Sequence, residues 1–264
     1  MLEVSQLSKS YGSGDEATHA IGRLDFTVGE SEFVSVVGPS GCGKTTLLKC
    51  MSGLMAPTAG QTVLRGQVVD SPPPDMAIVF QDYSRSLFPW LTVRKNVALP
   101  LRRKADVEDK GRAVEESLAA VGLSGFADHY PWQLSGGMQQ RVAIARALAY
   151  RPKVLLMDEP FASVDAQTRA ELEDLVLRVR VEFGVTVLLV THDIDEAVYM
   201  ADRVVVLTRP PSMIREILTV ELPRPRNQIT TKELPNFAHL RGHVYQSIME
   251  LQTADAPATL VSTT

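Results

Sequence analysis

One short stretch of the chain combines glycines with a lysine and two threonines. It reads Gly38, Pro39, Ser40, Gly41, Cys42, Gly43, Lys44, Thr45 and Thr46, and it contains the G-x-x-x-x-G-K-[ST] pattern of a phosphate-binding loop. Glycines allow successive backbone N–H groups to face one anion, and the following helix adds the positive end of its dipole. Lys44 supplies a charge and Thr45 a hydroxyl for Mg²⁺. A turn that served packing alone would not need Lys followed by Thr, so the pattern predicts nucleotide binding, with Cys42 as a small loop residue.

Two carboxylates and a histidine follow later apolar runs. Asp158 and Glu159 come directly after residues 154–157, and His192 follows residues 185–190. Because α/β sheets bind ligands at the carboxyl ends of their strands, we expect these side chains near the phosphate-binding loop. Asp158 is suited to hold Mg²⁺, Glu159 to polarise an attacking water, and His192 to contact the γ-phosphate. The alternatives are a solvated turn for the carboxylates and a structural role for the histidine.

The pattern of apolar runs predicts an α/β fold. Short runs rich in β-branched residues are typical of strands buried on both faces of a largely parallel sheet, and helical patterns lie between them. From about residue 83 to 150 the patterns are helical, which predicts a helical insertion in the α/β core. The expected strands are residues 33–37, 76–80, 154–157, 185–190 and 203–207, and the expected helices are residues 44–51, 107–121, 139–149, 166–182 and 193–200.

Composition narrows the class of protein. The 264 residues are 45% hydrophobic and carry a net charge of −4, which argues against nucleic acid as a partner, because phosphate backbones attract basic faces. No apolar run approaches the about 20 residues that span a bilayer, and the first residues do not resemble a secretory signal. Two cysteines suit a reducing compartment, so the cytoplasm is the expected location.

The chain beyond Pro223 differs in character from the rest. Apolar residues at helical spacing predict one amphipathic helix, and the residues from about Thr253 onward are expected to be disordered. The apolar residues of this helix are Phe237, Leu240, Val244, Ile248 and Leu251. We expect a nucleotide-binding domain over residues 1–224 and a tail over residues 225–264.

A second Gly-rich segment decides the family resemblance. Leu134 is followed by Ser135, Gly136, Gly137, Met138, Gln139, Gln140 and Arg141. Free N–H groups at the start of a helix form an anion site with no lysine of its own, or a plain N-cap. Together with the phosphate-binding loop, this segment resembles the signature motif of ABC transporter nucleotide-binding subunits, and the resemblance extends nearly to Pro223.

The resemblance implies a fold, cofactors and an assembly. The expected fold is that of a P-loop NTPase, with a RecA-like core of mainly parallel sheet, an inserted α-helical subdomain and an N-terminal antiparallel β portion. The expected cofactors are ATP and Mg²⁺. Ser135, Gly136, Gly137 and Gln139 would bind the γ-phosphate held by the phosphate-binding loop of a second copy, which implies a homodimer with two ATP molecules at its interface.

The resemblance also assigns roles to single residues. Tyr11 would stack on adenine, although an ordinary surface tyrosine is the alternative. Gln81 would touch Mg²⁺ and the water, and the alternative is an ordinary hydrogen-bonded amide at the end of a strand. The expected catalytic residues are Gln81, Lys44, Glu159 and His192. The expected metal ligands are Gln81, Thr45 and Asp158. Asp165 matches the family's aspartate between the two sites, although Ser163 and Val164 replace the usual Ala and Leu.

Residues 82–93 mix apolar bulk with charge and form a predicted partner segment. Within it Asp82 and residues 87–90, together with residues 190–197, resemble the importers of nitrate, sulfonate and taurine. The aromatic residues Phe88 and Trp90 would contact a partner or, alternatively, fill the helical subdomain. An importer subunit would work with integral-membrane permease subunits, and indirectly with an external solute-binding protein, as a peripheral protein on the cytoplasmic face of the cell membrane. It would couple ATP hydrolysis to uptake of a small anionic solute. The alternatives are a soluble ABC ATPase not coupled to transport and an importer of another small solute.

Overall fold

A computed structural model describes residues 1–12, 14, 17–82 and 86–253 of the chain. Tyr83, Ser84 and Arg85 of the predicted partner segment lie outside these residues, as does the end of the tail that we expect to be disordered. The strands are β1 (Leu2–Tyr11), β2 (Thr18–Val28), β3 (Phe33–Val37), β4 (Ala59–Leu64), β5 (Gln67–Val68), β6 (Met76–Val79), β7 (Val154–Asp158), β8 (Thr186–Val190), β9 (Arg203–Leu207) and β10 (Ile214–Thr219). The α-helices are α1 (Lys44–Met51), α2 (Val93–Ala98), α3 (Lys110–Ala120), α4 (Gly136–Ala149), α5 (Ala166–Phe183), α6 (Ile194–Met200) and α7 (Pro235–Thr253).

A central sheet in the described part of the chain has the strand order β10-β9-β3-β8-β7-β6. The strands from β9 to β6 are parallel to their neighbours, and β10 is antiparallel to β9. Every residue of β3, β7 and β8 is buried, which explains why these strands form continuous apolar runs instead of alternating ones. The predicted α/β fold with a mainly parallel sheet is confirmed.

A second sheet lies over one face of the first. Its order is β2-β1-β4-β5, and its pairs are antiparallel. Apolar residues of β1 and β2 share a core with α1 and with one face of the central sheet, where Val34 and Leu156 lie. The opposite face, with Leu155 and Leu189, packs against the helices of the insertion and against α5 and α6. The N-terminal antiparallel portion that the resemblance implied is therefore present.

The insertion between β6 and β7 is helical where the structure describes it. It contains α2, α3 and α4 with short 3-10 helices at Leu99–Arg103, Ser124–Phe126 and Pro131–Gln133. The sequence did not predict α2, and it placed the start of α4 three residues late. It also extended β6 to Phe80, whereas the strand ends at Val79, so Gln81 lies beyond the sheet edge.

The chain after β10 returns to the helical face of the central sheet. Phe237 and Val244 of α7 are buried, and Leu240 and Ile248 pack partly buried beside them. This spacing of three, four and four residues is the stripe that an amphipathic helix presents to a core. Within the described residues, no helix combines the length and apolar character needed to cross a bilayer.

Candidate nucleotide-binding site

The predicted phosphate-binding loop connects β3 to α1. Gly41 and Gly43 have φ angles of 74° and 91°, in the left-handed region that glycine adopts without strain. A Cβ on Gly43 would also lie 3.1 Å from the carbonyl oxygen of Ala20. Burial raises the pKa of the Cys42 thiol, which keeps it protonated and fits its interpretation as a small loop residue. The conformation of the loop therefore requires these glycines, whether or not an anion is bound.

Lys44 is folded back over the loop. Its side chain is almost fully buried, and Nζ donates to the carbonyl oxygens of Gly38 at 3.0 Å and Pro39 at 3.2 Å. These contacts hold a positive charge against a loop whose following helix begins at Lys44 itself. A buried ammonium stabilised by carbonyl dipoles is poised to donate to a phosphate oxygen, because an anion would balance its charge.

Thr45, in the first turn of α1, contacts Asp158, the last residue of β7. Thr45 Oγ1 donates to Asp158 Oδ1 at 3.0 Å. Burial raises the pKa of Asp158, although this hydrogen bond opposes the shift, so a nearby cation would stabilise the ionised carboxylate. Among the described residues, no cluster of three or more His, Cys, Asp or Glu could hold a metal. Mg²⁺ needs none, since it keeps waters and commonly binds one or two protein oxygens plus substrate phosphates.

Glu159 is at the centre of a hydrogen-bonded group. Its Oε2 lies 3.0 Å from His192 Nδ1 and accepts a hydrogen bond from Gln81 Nε2 at 3.3 Å. Glu159 has a φ of 44°, which costs about 1–3 kcal/mol in a non-glycine residue and is typical of functional sites. Its N–H donates to the carbonyl oxygen of Val190 at 2.8 Å, so β8 holds the strained backbone. The structure thus brings together three predicted residues that are distant in sequence.

A cleft of about 510 Å³ extends from the phosphate-binding loop to Glu159 and His192. Its lining residues are Ser40, Gly41, Cys42, Gly43, Lys44, Thr45, Thr46, Glu159 and His192. Cleft volumes of a few hundred Å³ and more accommodate small-molecule ligands. The cleft is therefore large enough for the phosphate groups that the sequence predicts.

Tyr11 lies beside this cleft, at the end of β1. Its hydroxyl is 3.2 Å from Thr46 Oγ1 and also contacts Met55 Sδ. The phenol is 41% exposed, so part of the ring is free to stack on a base. This position is compatible with the expected adenine contact, and the contact itself stays a prediction.

The signature segment does not line the cleft of its own chain. Ser135 caps α4, its Oγ accepting from the N–H of Met138, and Gln139 Nε2 donates to the carbonyl oxygen of Leu134. Ser135 and Gly136 are exposed. An exposed helix start is free to face another molecule, so the expected role toward a second copy stays a prediction.

Asp165 has a structural role that the sequence analysis did not assign. It caps α5, because its carboxylate accepts from the N–H of Thr168 at 2.9 Å and from Thr168 Oγ1 at 2.7 Å. These hydrogen bonds lower the pKa of Asp165. The sequence signal was available, since Asp is among the preferred N-cap residues.

The predicted partner segment is partly exposed. Trp90 is 69% exposed and stands edge-on to Phe88, with ring centroids 5.3 Å apart, whereas Leu87 is buried. The alternative that Phe88 and Trp90 fill the helical subdomain therefore does not fit, because both side chains are exposed and Leu87 takes the buried position. The buried amide of Asn96 holds this turn, accepting from the N–H of Phe88 and donating to the carbonyl oxygens of Phe88, Leu91 and Thr92.

The sequence analysis gave no individual role to the polar residues behind His192. Arg169, Thr191 and Glu196 form a polar group with Asp193 on the buried side of the loop that carries His192. A usable signal was the D-x-x-E spacing of Asp193 and Glu196, which is typical of a helix N-terminus.

Comparison with known proteins agrees with this geometry. The sequence profile of the ABC transporter family matches residues 21–162. The chain is 47% identical to the bicarbonate transport ATP-binding protein CmpC of Synechococcus elongatus. The match covers 92% of this chain and 37% of that protein. The nitrate import ATP-binding protein NrtC of the same species is 44% identical over 89% of this chain and 36% of its own length. The chain thus spans little more than a third of these two relatives.

Other relatives match along most of their length. An uncharacterised ABC transporter ATP-binding protein of Methanocaldococcus jannaschii is 47% identical over 88% of this chain and 87% of its own length. A solved dimeric ATP-binding cassette in a post-hydrolysis state, bound to ADP and phosphate, superposes with a TM-score of 0.71 at 34% identity, covering 83% of this chain and 99% of that one. The predicted resemblance, including its nitrate importer branch, is confirmed, and the chain belongs to the ABC transporter family.

Proposed function

We propose that this chain is the ATP-hydrolysing subunit of an importer for a small anionic solute. The observation that carries the catalytic part is the convergence of Gln81 and His192 on Glu159 Oε2, in the cleft that the phosphate-binding loop also lines. A carboxylate held by two polar partners beside a phosphate-binding loop is suited to orient and polarise water.

The side chains divide the hydrolytic reaction among them. Glu159 polarises a water that attacks the γ-phosphorus, the bond to the bridging oxygen of ADP breaks, and the water's proton leaves with the products. His192, whose Nδ1 faces Glu159, has Nε2 left for a γ-phosphate oxygen. Lys44 balances phosphate charge. Thr45, Asp158 and Gln81 would hold Mg²⁺, which when bound would neutralise charge that develops on the phosphate oxygens.

Two copies of the chain would complete the site. Ser135, Gly136 and Gly137 lie outside the cleft lining, so their N–H groups are available to the phosphate of a second copy. The dimeric cassette to which this chain is similar supports this arrangement. Dimer closure on ATP and reopening after hydrolysis would then drive a membrane partner.

The membrane partner would dock near residues 81–90. Trp90 and Phe88 form an exposed aromatic pair, and aromatic residues are enriched at protein interfaces. Because this segment directly follows Gln81, a partner bound there would be connected to the nucleotide-binding site through Gln81. We place the chain on the cytoplasmic face of the membrane. The transport of nitrate and bicarbonate by relatives supports an inorganic or organic anion as solute.

The Glu159→Gln variant tests the catalytic assignment. We expect it to bind ATP but to hydrolyse it about 10²–10⁴-fold more slowly, the range for losing a general base, and to form an ATP-dependent dimer in light scattering. Glu182→Gln, an exposed substitution on α5, is the matched control and should retain full turnover. Wild-type turnover by Glu159→Gln would contradict the assignment.

Co-purification tests the coupling to transport. A tagged chain extracted in mild detergent should bring down a polytopic membrane protein in stoichiometric amount. Recovery of all the chain from the soluble fraction, with ribosomes or DNA and without a membrane protein, would favour the soluble ABC ATPase instead.

A further inference from the structure

Arg169, on the first turn of α5, contacts two loops at once. Its Nη1 donates to Asp193 Oδ2 at 3.0 Å, and Nη2 lies 3.5 Å from the carbonyl oxygen of Val164. Val164 belongs to the loop that Asp165 ends, and Asp193 directly follows His192. One guanidinium therefore connects the loop before α5 with the loop that carries His192.

The backbone on both sides of His192 is fixed by buried groups. Thr191 Oγ1 donates to Glu196 Oε2 at 2.6 Å and accepts from the N–H of Asp193 at 3.0 Å. Asp193 Oδ1 in turn accepts from the N–H of Glu196 at 3.2 Å and caps α6. Thr191 and Glu196 are nearly inaccessible to solvent, so their hydrogen bonds are protected from competition with water.

The imidazole itself is much less confined. The side chain of His192 is 57% exposed, and its ring is 3.0 Å from Glu159. Because little protein surrounds the ring, its position depends on the backbone that Thr191 and Asp193 hold. A displacement of about 1 Å at such a group is enough to cost on the order of 10²-fold in rate.

Charge makes Arg169 the counterion of this loop. Asp193 is 3.0 Å from Nη1, and Glu196 Oε1 is 3.6 Å from Nε. Glu173 is a further carboxylate facing Glu196 from α5. Without Arg169, Asp193 would lose the cation that it contacts in the described part of the chain, and it would still face the buried carboxyl groups of Glu196 and Glu173. Lys232, 3.8 Å from Glu173, offsets part of this charge but does not contact Asp193 within the described residues. The remaining repulsion would displace the cap of α6.

We propose that Arg169 is a positioning residue that sets His192 against Glu159 by bridging Val164 to Asp193 and Glu196. The inference rests on the proposed role of His192 in hydrolysis. It assigns no contact between Arg169 and the nucleotide, so Arg169 acts through the loop alone.

The test compares arginines on one helix. Arg178, also on α5, donates to the carbonyl oxygen of Ala120 and serves as the matched control. In Mg·ATP hydrolysis by the purified full chain, we expect Arg169→Met to lower kcat by about 10–100-fold with KM within about twofold. Arg178→Met should stay within about twofold of wild type in both.

A double-mutant cycle separates positioning from general stability. In a His192→Ala background, Arg169→Met should change kcat by less than about twofold, because the group that it positions is already absent. A full 10–100-fold loss in that background, a rise in KM alone, or wild-type kcat in Arg169→Met would overturn the inference. Arg169→Lys, which keeps the charge, should lower kcat by about 3–10-fold. If Arg169→Met does not fold, the double-mutant cycle is made with Arg169→Lys instead.

The same set distinguishes the two proposals. If wild type does not hydrolyse ATP, or His192→Ala hydrolyses it normally, the proposed function fails first. If His192→Ala is impaired and Arg169→Met is not, the proposed function stands and the positioning role is refuted.

Discussion

A methyl group added at Gly137 should destabilise the chain, and removing one methyl group from Thr168 should restore it. A Cβ on Gly137 would lie 2.3 Å from Thr168 Cγ2, whereas Thr168 Cβ and Oγ1 would be 3.7 and 3.8 Å away, in ordinary contact. The clash therefore involves a single methyl group. Thr168 cannot rotate freely, because its χ1 is stiff and its Oγ1 donates to Asp165 at 2.7 Å.

The expected cost follows from these contacts. Losing the Thr168 hydrogen bond costs about 1 kcal/mol, and moving α4 from α5 costs about 1–3 kcal/mol, as in other overpacked cores. For a chain of this size, a loss of about 1–3 kcal/mol corresponds to a fall of about 2–12 °C in Tm. Gly137→Ala with Thr168→Ser should match or exceed Thr168→Ser alone, because alanine favours helix over glycine.

Thermal unfolding without nucleotide, followed by circular dichroism, measures all four proteins. The absence of nucleotide isolates packing from any phosphate contact of Gly137. A Gly137→Ala variant as stable as wild type would refute the reasoning, and so would a loss that Thr168→Ser does not reduce.

Two further predictions concern charge. Burial and the carboxylates of Asp193 and Glu173 raise the pKa of Glu196 from 4.5 to about 7, against the hydrogen bond from Thr191 and the charge of Arg169. The folded state therefore binds more protons than the unfolded state, and stability of up to about 3 kcal/mol is lost as pH rises through 7. The Tm of Glu196→Gln should fall less than that of wild type between pH 5 and 8, whereas parallel curves would contradict this. Cells in which the Lys44→Ala variant is the only copy of this protein should lose uptake of the labelled anion, and normal uptake would contradict the transport role. The control is Lys153→Ala, which changes an exposed lysine.

The central strands were predictable from sequence, and the outer sheet was not. β3 and β9 lie where the apolar runs predicted them, because a strand buried on both faces has a continuous apolar sequence. β1 alternates between buried and exposed residues, and its pairing with β2 has several register shifts. Those irregularities break the period of two, so its presence followed from family resemblance alone.

The candidate site divides in the same way. Lys44, Asp158 and His192 were found because each comes at or soon after the end of a recognisable apolar run, and the sheet order β3-β8-β7 brings the ends of those strands together. Arg169 and Glu196 lie on helices, and their contact joins residues 27 apart in sequence. Glu196 also departs from the capping pattern that its spacing suggests, since its carboxylate accepts from Thr191. No local pattern encodes that choice of partner.

The tail beyond Pro223, whose purpose the sequence did not reveal, binds the same two helices. Arg226 donates to the carbonyl oxygens of Val198, Tyr199 and Ala201 at the end of α6, and Gln228 donates to Ala170 of α5. The last carbonyls of a helix have no partner within it, so the half-buried Arg226 satisfies several of those of α6 at once. Arg169 holds α6 at its start and Arg226 holds it at its end, which leaves the loop of His192 little freedom to move independently of α5. We therefore interpret the first part of the tail as a component of the catalytic core and not as an appendage to it.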